Sequence, residues 1–175
     1  MSFEQGFLAD ITKRFRIYKE MGDKTLAQLS EKELFFRPSP ESNNIAIIIQ
    51  HMYGSMLSRW TNFLTEDGEK PWRKRDAEFE ATEASKADLL SFWAEGWKCL
   101  LDTLSSLKPE DLTKTIYIRT EPLMAYDAIL RQLAHYSSHV GQIILLGKMI
   151  RDKDWQSLSI VKGHSSEYNQ SMGMR

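Results

Sequence analysis

The sequence predicts an all-α protein, a four-helix bundle with a short β-hairpin inserted before the last helix. Three observations lead there. Four stretches repeat apolar residues three and four apart, the period of a helix with one buried face. Between them lie segments holding Pro38 and Pro40, then Gly68 and Pro71, then Pro109, which break helices. Residues 114–119, KTIYIR, alternate in the manner of a short strand. Four one-sided helices bury their faces against one another, which is the bundle solution.

The first helix is expected from residue 3 to about 28, where Phe7, Leu8, Ile11, Phe15, Tyr18, Leu26 and Leu29 follow the period through Gly22. SEKELFFRPSPESNN then reads as a connection. Asn43 or Asn44 suits the N-cap of a second helix running to about Leu64, with Ile45, Ile48, Met52, Met56 and Phe63 along its stripe. The mixed-charge segment TEDGEKPWRKRDAEFEAT reads as a long ordered loop anchored by Trp72 and Phe79. Thr82 or Ser85 caps a third helix from about Lys86 to Leu107, carrying Leu89, Leu90, Trp93, Trp97, Leu100, Leu101 and Leu104. The strand is followed by an expected turn at Glu121-Pro122. The last helix, Tyr126 to Ile150, is the one the chain is organised around. Its stripe is Ile129, Leu133, Tyr136, Val140, Ile143, Ile144 and Ile150. The polar tail from Asp152 is expected to be irregular. All three connections exceed a minimal turn, so the order of the helices in the bundle stays open.

At 175 residues, 42% hydrophobic and 27% charged, the chain reads as one soluble domain spanning 1–175. A net charge of −1 gives no electrostatic reason to expect nucleic acid or an anionic membrane as partner. No apolar run approaches the ~20 residues that span a bilayer. The opening MSFEQGFLADITKRF lacks the apolar core and cleavage site of a signal peptide. Cys99 is the single cysteine, which excludes an internal disulfide and suits a reducing compartment. A cytoplasmic location is the expectation.

The histidines carry the chemistry. His135 and His139 are four apart on the last helix, so their rings project from one side, beside the apolar stripe. His51 lies at the edge of the stripe on the second helix. Where those helices are neighbours, three neutral imidazoles converge on one divalent cation and leave a coordination position open, the pattern of a catalytic metal site. The bland reading is that buried histidines simply satisfy hydrogen bonds. Gln50 and Gln132 are candidate partners for the ligands' other ring nitrogens, and Ser55 and Arg59, one and two turns beyond His51, are candidate pocket residues. The bland reading of Arg59 is an ion pair with Glu66 or Asp67. A di-iron Glu-x-x-His pattern, a nucleophile elbow and a glycine-rich phosphate loop are all absent. Cys99 reads as a core residue and His164 as a solvated loop residue.

HMYGSMLSRWTNFL with DGEKPWRKRDAEF, and RQLAHYSSHVGQIILLGK, resemble the DinB/YfiT-like metalloenzyme superfamily, in its uncharacterised bacterial branch. The resemblance runs over nearly the whole chain, through the hairpin and the SLSI–GHSSEYN tail. It implies a four-helix bundle with a three-histidine divalent metal site, zinc or nickel, and a homodimer. Carried over by position, the ligands are His51, His135 and His139. Thiol-dependent transferases and isomerases and proposed hydrolases occur in the superfamily. The expectation is therefore a metal-dependent enzyme activating water or a low-molecular-weight thiol on a small-molecule substrate. The alternative is a non-catalytic, stress-associated dimeric bundle that keeps metal for stability. No carboxylate stands at a helical spacing from the histidines, which leaves the general base unassigned.

Overall fold

The structure, a computed structural model, describes residues 1–81 and 83–173. It is mostly helical with one small antiparallel hairpin. Four long helices carry the core: α1 (Phe3–Leu26), α3 (Ile45–Trp60), α4 (Lys86–Ser106) and α5 (Ala125–Arg151). A single-turn helix α2 (Glu31–Leu34) sits in the first connection, and a short helix α6 (Ser165–Ser171) in the tail. The hairpin strands are β1 (Thr115–Ile118) and β2 (Glu121–Met124). In the helix packing α1 lies mainly on α5 and α4, and α3 on α4 and α5.

Local chemistry starts these helices where it should. The Ser2 hydroxyl accepts from the Gln5 N–H while the Gln5 side chain accepts from the Ser2 N–H, a reciprocal cap that Ser85 and Asp88 repeat at α4. Asn44 accepts from the Ile47 N–H at 2.9 Å and opens α3. Thr82, the other expected cap for α4, lies outside the described residues.

The predicted stripes meet in the middle. Phe15, Trp60, Trp97 and Tyr136, one from each long helix, are almost wholly buried, and the Phe15 ring lies 6.0–6.4 Å from the other three. The Trp60 indole N–H donates to the Tyr136 hydroxyl at 3.3 Å. Close approach depends on two missing side chains. A Cβ at Gly22 would collide with the Trp93 ring across the α1–α4 contact, and one at Gly147 would come within 2.8 Å of Thr25.

Several expectations need correction. The second long helix ends at Trp60, not near Leu64, because Thr61 is extended and Asn62 takes a positive φ of 50°. The hairpin turn is Arg119-Thr120, whereas Glu121 and Pro122 pair with Ile118 and Tyr117 inside β2. Both turn residues have positive φ, 53° and 64°, without a glycine to ease it. The Asp67 carboxylate supplies the compensation, accepting from the N–H groups of Arg119 at 2.8 Å and Thr120 at 2.7 Å. Trp72 is 55% exposed and so is not a buried anchor, while Leu90 points partly outward and Cys99 lies at the edge of the core. The tail is not wholly irregular. It holds α6 and a 3-10 turn at Asp152–Asp154.

What pins the long loop is polar. Ser58, fully buried on α3, donates to the Gly68 carbonyl at 2.7 Å and accepts from the Lys70 N–H. Gly68 N–H in turn donates to the Tyr117 carbonyl at 2.8 Å, tying loop to hairpin. The loop ends in a 3-10 turn, Asp76–Phe79, packed on α3.

Candidate metal centre

Helical spacing places the first donors. His51, Ser55 and Arg59 follow one another by single turns on α3, and Arg131, His135 and His139 do the same on α5. The facing rows, with the loop and the hairpin turn as roof, enclose a cavity of about 380 Å³. Its walls carry all three helical histidines, Ser55, Arg59 and Gln132, and also Arg73, Arg75, Phe79, Arg119 and Arg131.

The three imidazoles converge. His135 Nε2 lies 3.2 Å from His51 Nε2 and 3.0 Å from His139 Nε2, and donor atoms of all three fall within 4.8 Å of one another. Second bonds fix the tautomers of two rings. His51 Nδ1–H donates to Glu78 Oε2 at 2.9 Å, and His139 Nδ1–H donates to Gln142 Oε1 at 3.1 Å. Each of those rings therefore turns a bare Nε2 lone pair inward. One N–H on His135 can satisfy one of them, not both. A cation among the three nitrogens satisfies the set, and nitrogens at ~2.0–2.1 Å from one ion in tetrahedral array stand ~3.3 Å apart. The donor set fits a divalent metal ion.

Glu78 is the best-anchored group of the centre. Arg73 grips it with two bonds, Nε to Oε1 at 2.7 Å and Nη2 to Oε2 at 2.8 Å. Burial pushes its carboxyl up, but the bonds from Arg73 and His51 outweigh that and hold it below the usual carboxylate range. Space for it comes from Gly54, where a Cβ would stand 2.8 Å from Glu78 Cδ or closer to its oxygen. The Phe79 ring then lies against His51, centroids 4.6 Å apart. Burial, followed by the neighbouring His139 and His51 and by Arg59 and Arg73, pushes His135 down to about 3. Burial lowers His139 too, against the opposing bond to Gln142. Neutral imidazoles are the form that ligates.

The two glutamines expected to support the ring nitrogens do other things. Gln50 donates to the carbonyls of Ala77 and Glu78, at 3.0 and 3.2 Å, and so clamps the turn that carries Glu78. Gln132 is 4% exposed on the cavity wall, and its Oε1 has no partner. Ser55 Oγ stands 3.5 Å from the Tyr136 hydroxyl. Arg59 pairs with Glu69 at 2.9 Å rather than with Glu66 or Asp67, and also donates to the Gly68 carbonyl. His164 pairs with Glu167 on the exposed tail, away from the cavity.

Sequence reasoning missed Glu78, Arg73, Gln142 and the outer arginines. Two of these had a local signal: Gln142 is three beyond His139, and Arg131 is one turn before His135. Glu78 and Arg73 had none, since they reach the centre through a loop path that no periodicity encodes. Set against known families, residues 2–164 match the one described as a protein of unknown function (DUF1572). No curated protein matches the chain.

Proposed function

The chain belongs to the DUF1572 family, and we propose that it is a divalent-metal-dependent enzyme of the DinB/YfiT-like kind, a four-helix bundle with His51, His135 and His139 as the ligands. The observation that carries this is the inward convergence of three imidazole nitrogens, two of them with tautomers locked from behind. Zinc and nickel both accept such a set. When bound, the ion supplies Lewis acidity that lowers the pKa of a water or thiol brought to it.

The chain's own residues divide the remaining work. Glu78 and Gln142 orient two rings and raise their basicity. Among the described residues the cavity walls hold no aspartate or glutamate, and Glu78 is consumed by Arg73 and His51. With no carboxylate free to take a proton, activation of a low-molecular-weight thiol is favoured over base-assisted hydrolysis. The purely structural alternative would call for a fourth protein donor. Among the described residues only these three groups gather, and the cavity opens beside them. A homodimer is part of the reading, supported by Tyr126, Leu130, Leu145 and Met149 standing exposed along α5 and by Phe3 of α1 sharing a groove with Leu130.

Elemental analysis of protein expressed with added zinc or nickel tests the reading. One equivalent per chain, lost in His135→Ala with helicity retained, is expected. Wild-type protein without metal would refute it. Thermal protection by a thiol only in the metal-loaded protein then identifies the co-substrate class.

A further inference from the structure

The five arginines of the cavity wall are not equivalent. Arg59 and Arg73 are buried and fully engaged by Glu69 and Glu78. Arg75, Arg119 and Arg131 are each about half exposed and come from three different elements: the start of the 3-10 turn, the hairpin turn and α5. Their partners are weak or shared. Arg75 meets the fully exposed Asp76 at 3.9 Å, Arg131 meets Glu121 at 3.5 Å, and Arg119 shares Glu69 with Arg59 and Arg73. All five guanidinium groups line the cavity, whereas the carboxylates that meet them number four: Glu69 and Glu78 within the network, and Glu121 and the fully exposed Asp76 at its edge. This excess sits in a chain whose net charge is −1, so it is a local concentration and not a general basicity. Gln132, buried on the same wall with an unpartnered Oε1, is an acceptor and would meet a donor group of the bound molecule, not its oxyanion.

We propose that the outer part of the cavity binds the oxyanion group, carboxylate or phosphate, of a small-molecule substrate, with Arg119 and Arg131 as its principal clamp and Arg75 at the rim. The guanidinium fork matches both oxyanions, and a concave volume of about 380 Å³ suits a metabolite-sized molecule. Held there, the anion directs the rest of the molecule toward the three imidazoles, since Arg131 is one helical turn from His135 on the same face. This deepens the metal-enzyme reading and rests on it for the catalytic purpose, though the clamp itself consists of residues outside the histidine cluster.

Calorimetric titration of zinc-loaded protein with inorganic phosphate and with succinate, at fixed ionic strength, tests the clamp. Saturable binding of at least one probe is expected. Arg131→Gln and Arg119→Gln should each weaken it about tenfold or more, the loss of a charge-assisted bond, with zinc content and circular dichroism unchanged. Arg131→Lys, which keeps the charge and loses the fork, should fall between. In zinc-free His135→Ala protein the arginine-dependent binding should persist. Two results overturn the proposal: no saturable binding of either probe by fully zinc-loaded wild type, or binding that ignores the arginine variants and vanishes with zinc. A protein that takes no zinc but binds the probes through Arg119 and Arg131 would refute the metal reading and leave the clamp standing.

Discussion

At the scale of single residues, the centre is held by what lies behind the histidines. Glu78→Gln keeps an acceptor for His51 Nδ1 but removes the charge that Arg73 neutralises. Metal affinity should fall about 10–100-fold by competition with a chromophoric chelator, the usual effect of losing such a support. Gly54→Ala should act alike, since its methyl displaces the same carboxylate. Acid acts through the same rings. In the metal-free fold His135 titrates at about 3, below the ordinary imidazole value of 6.5. Between those pH values the unfolded chain holds a proton that the folded chain does not, so stability is full above the unfolded value and declines as pH drops toward 3. The melting temperature of the metal-free protein should fall from pH 7 to pH 4, and His135→Asn should flatten that slope. An unchanged slope would place the acid sensitivity elsewhere.

Among elements, the long helices could be read from sequence because their information is local: a cap, a period and a stop. Asn44, Ser85 and the stripes through Phe15, Trp97 and Tyr136 all lie where the pattern puts them. The hairpin turn could not be read that way. Arg119-Thr120 resembles no favoured turn pair, and its positive φ angles are stabilised by Asp67 from a loop some fifty residues earlier. The cavity was half legible for the same reason. Its histidines and Arg59 sit on helical periods, whereas Glu78 and Arg73 arrive by tertiary folding of the loop. Asp67→Ala should therefore cost about 0.5–1.5 kcal/mol in urea unfolding, since the exposed N–H groups of a turn with positive φ lose their acceptor. The same change should weaken anion binding through Arg119 while leaving zinc stoichiometry at its wild-type value.

At the scale of the whole molecule, the exposed stripe of α5 bears on assembly. Leu145 and Met149 are 59% and 55% exposed, more than the other large apolar residues of that helix. Leu145→Glu together with Met149→Glu should convert a dimer to a monomer in light scattering without altering metal content; a wild-type monomer would remove the homodimer from the reading. A last consequence concerns two consecutive positions. His135 and Tyr136 point about 100° apart on one helix, the first toward the histidine cluster and the second into the aromatic centre. A roll of α5 about its axis would move both together, so loosening of the aromatic centre is coupled to loosening of the histidine cluster. Chelator-released zinc and the emission of Trp60 and Trp97 should accordingly change in one shared transition on heating, with neither running ahead of the other.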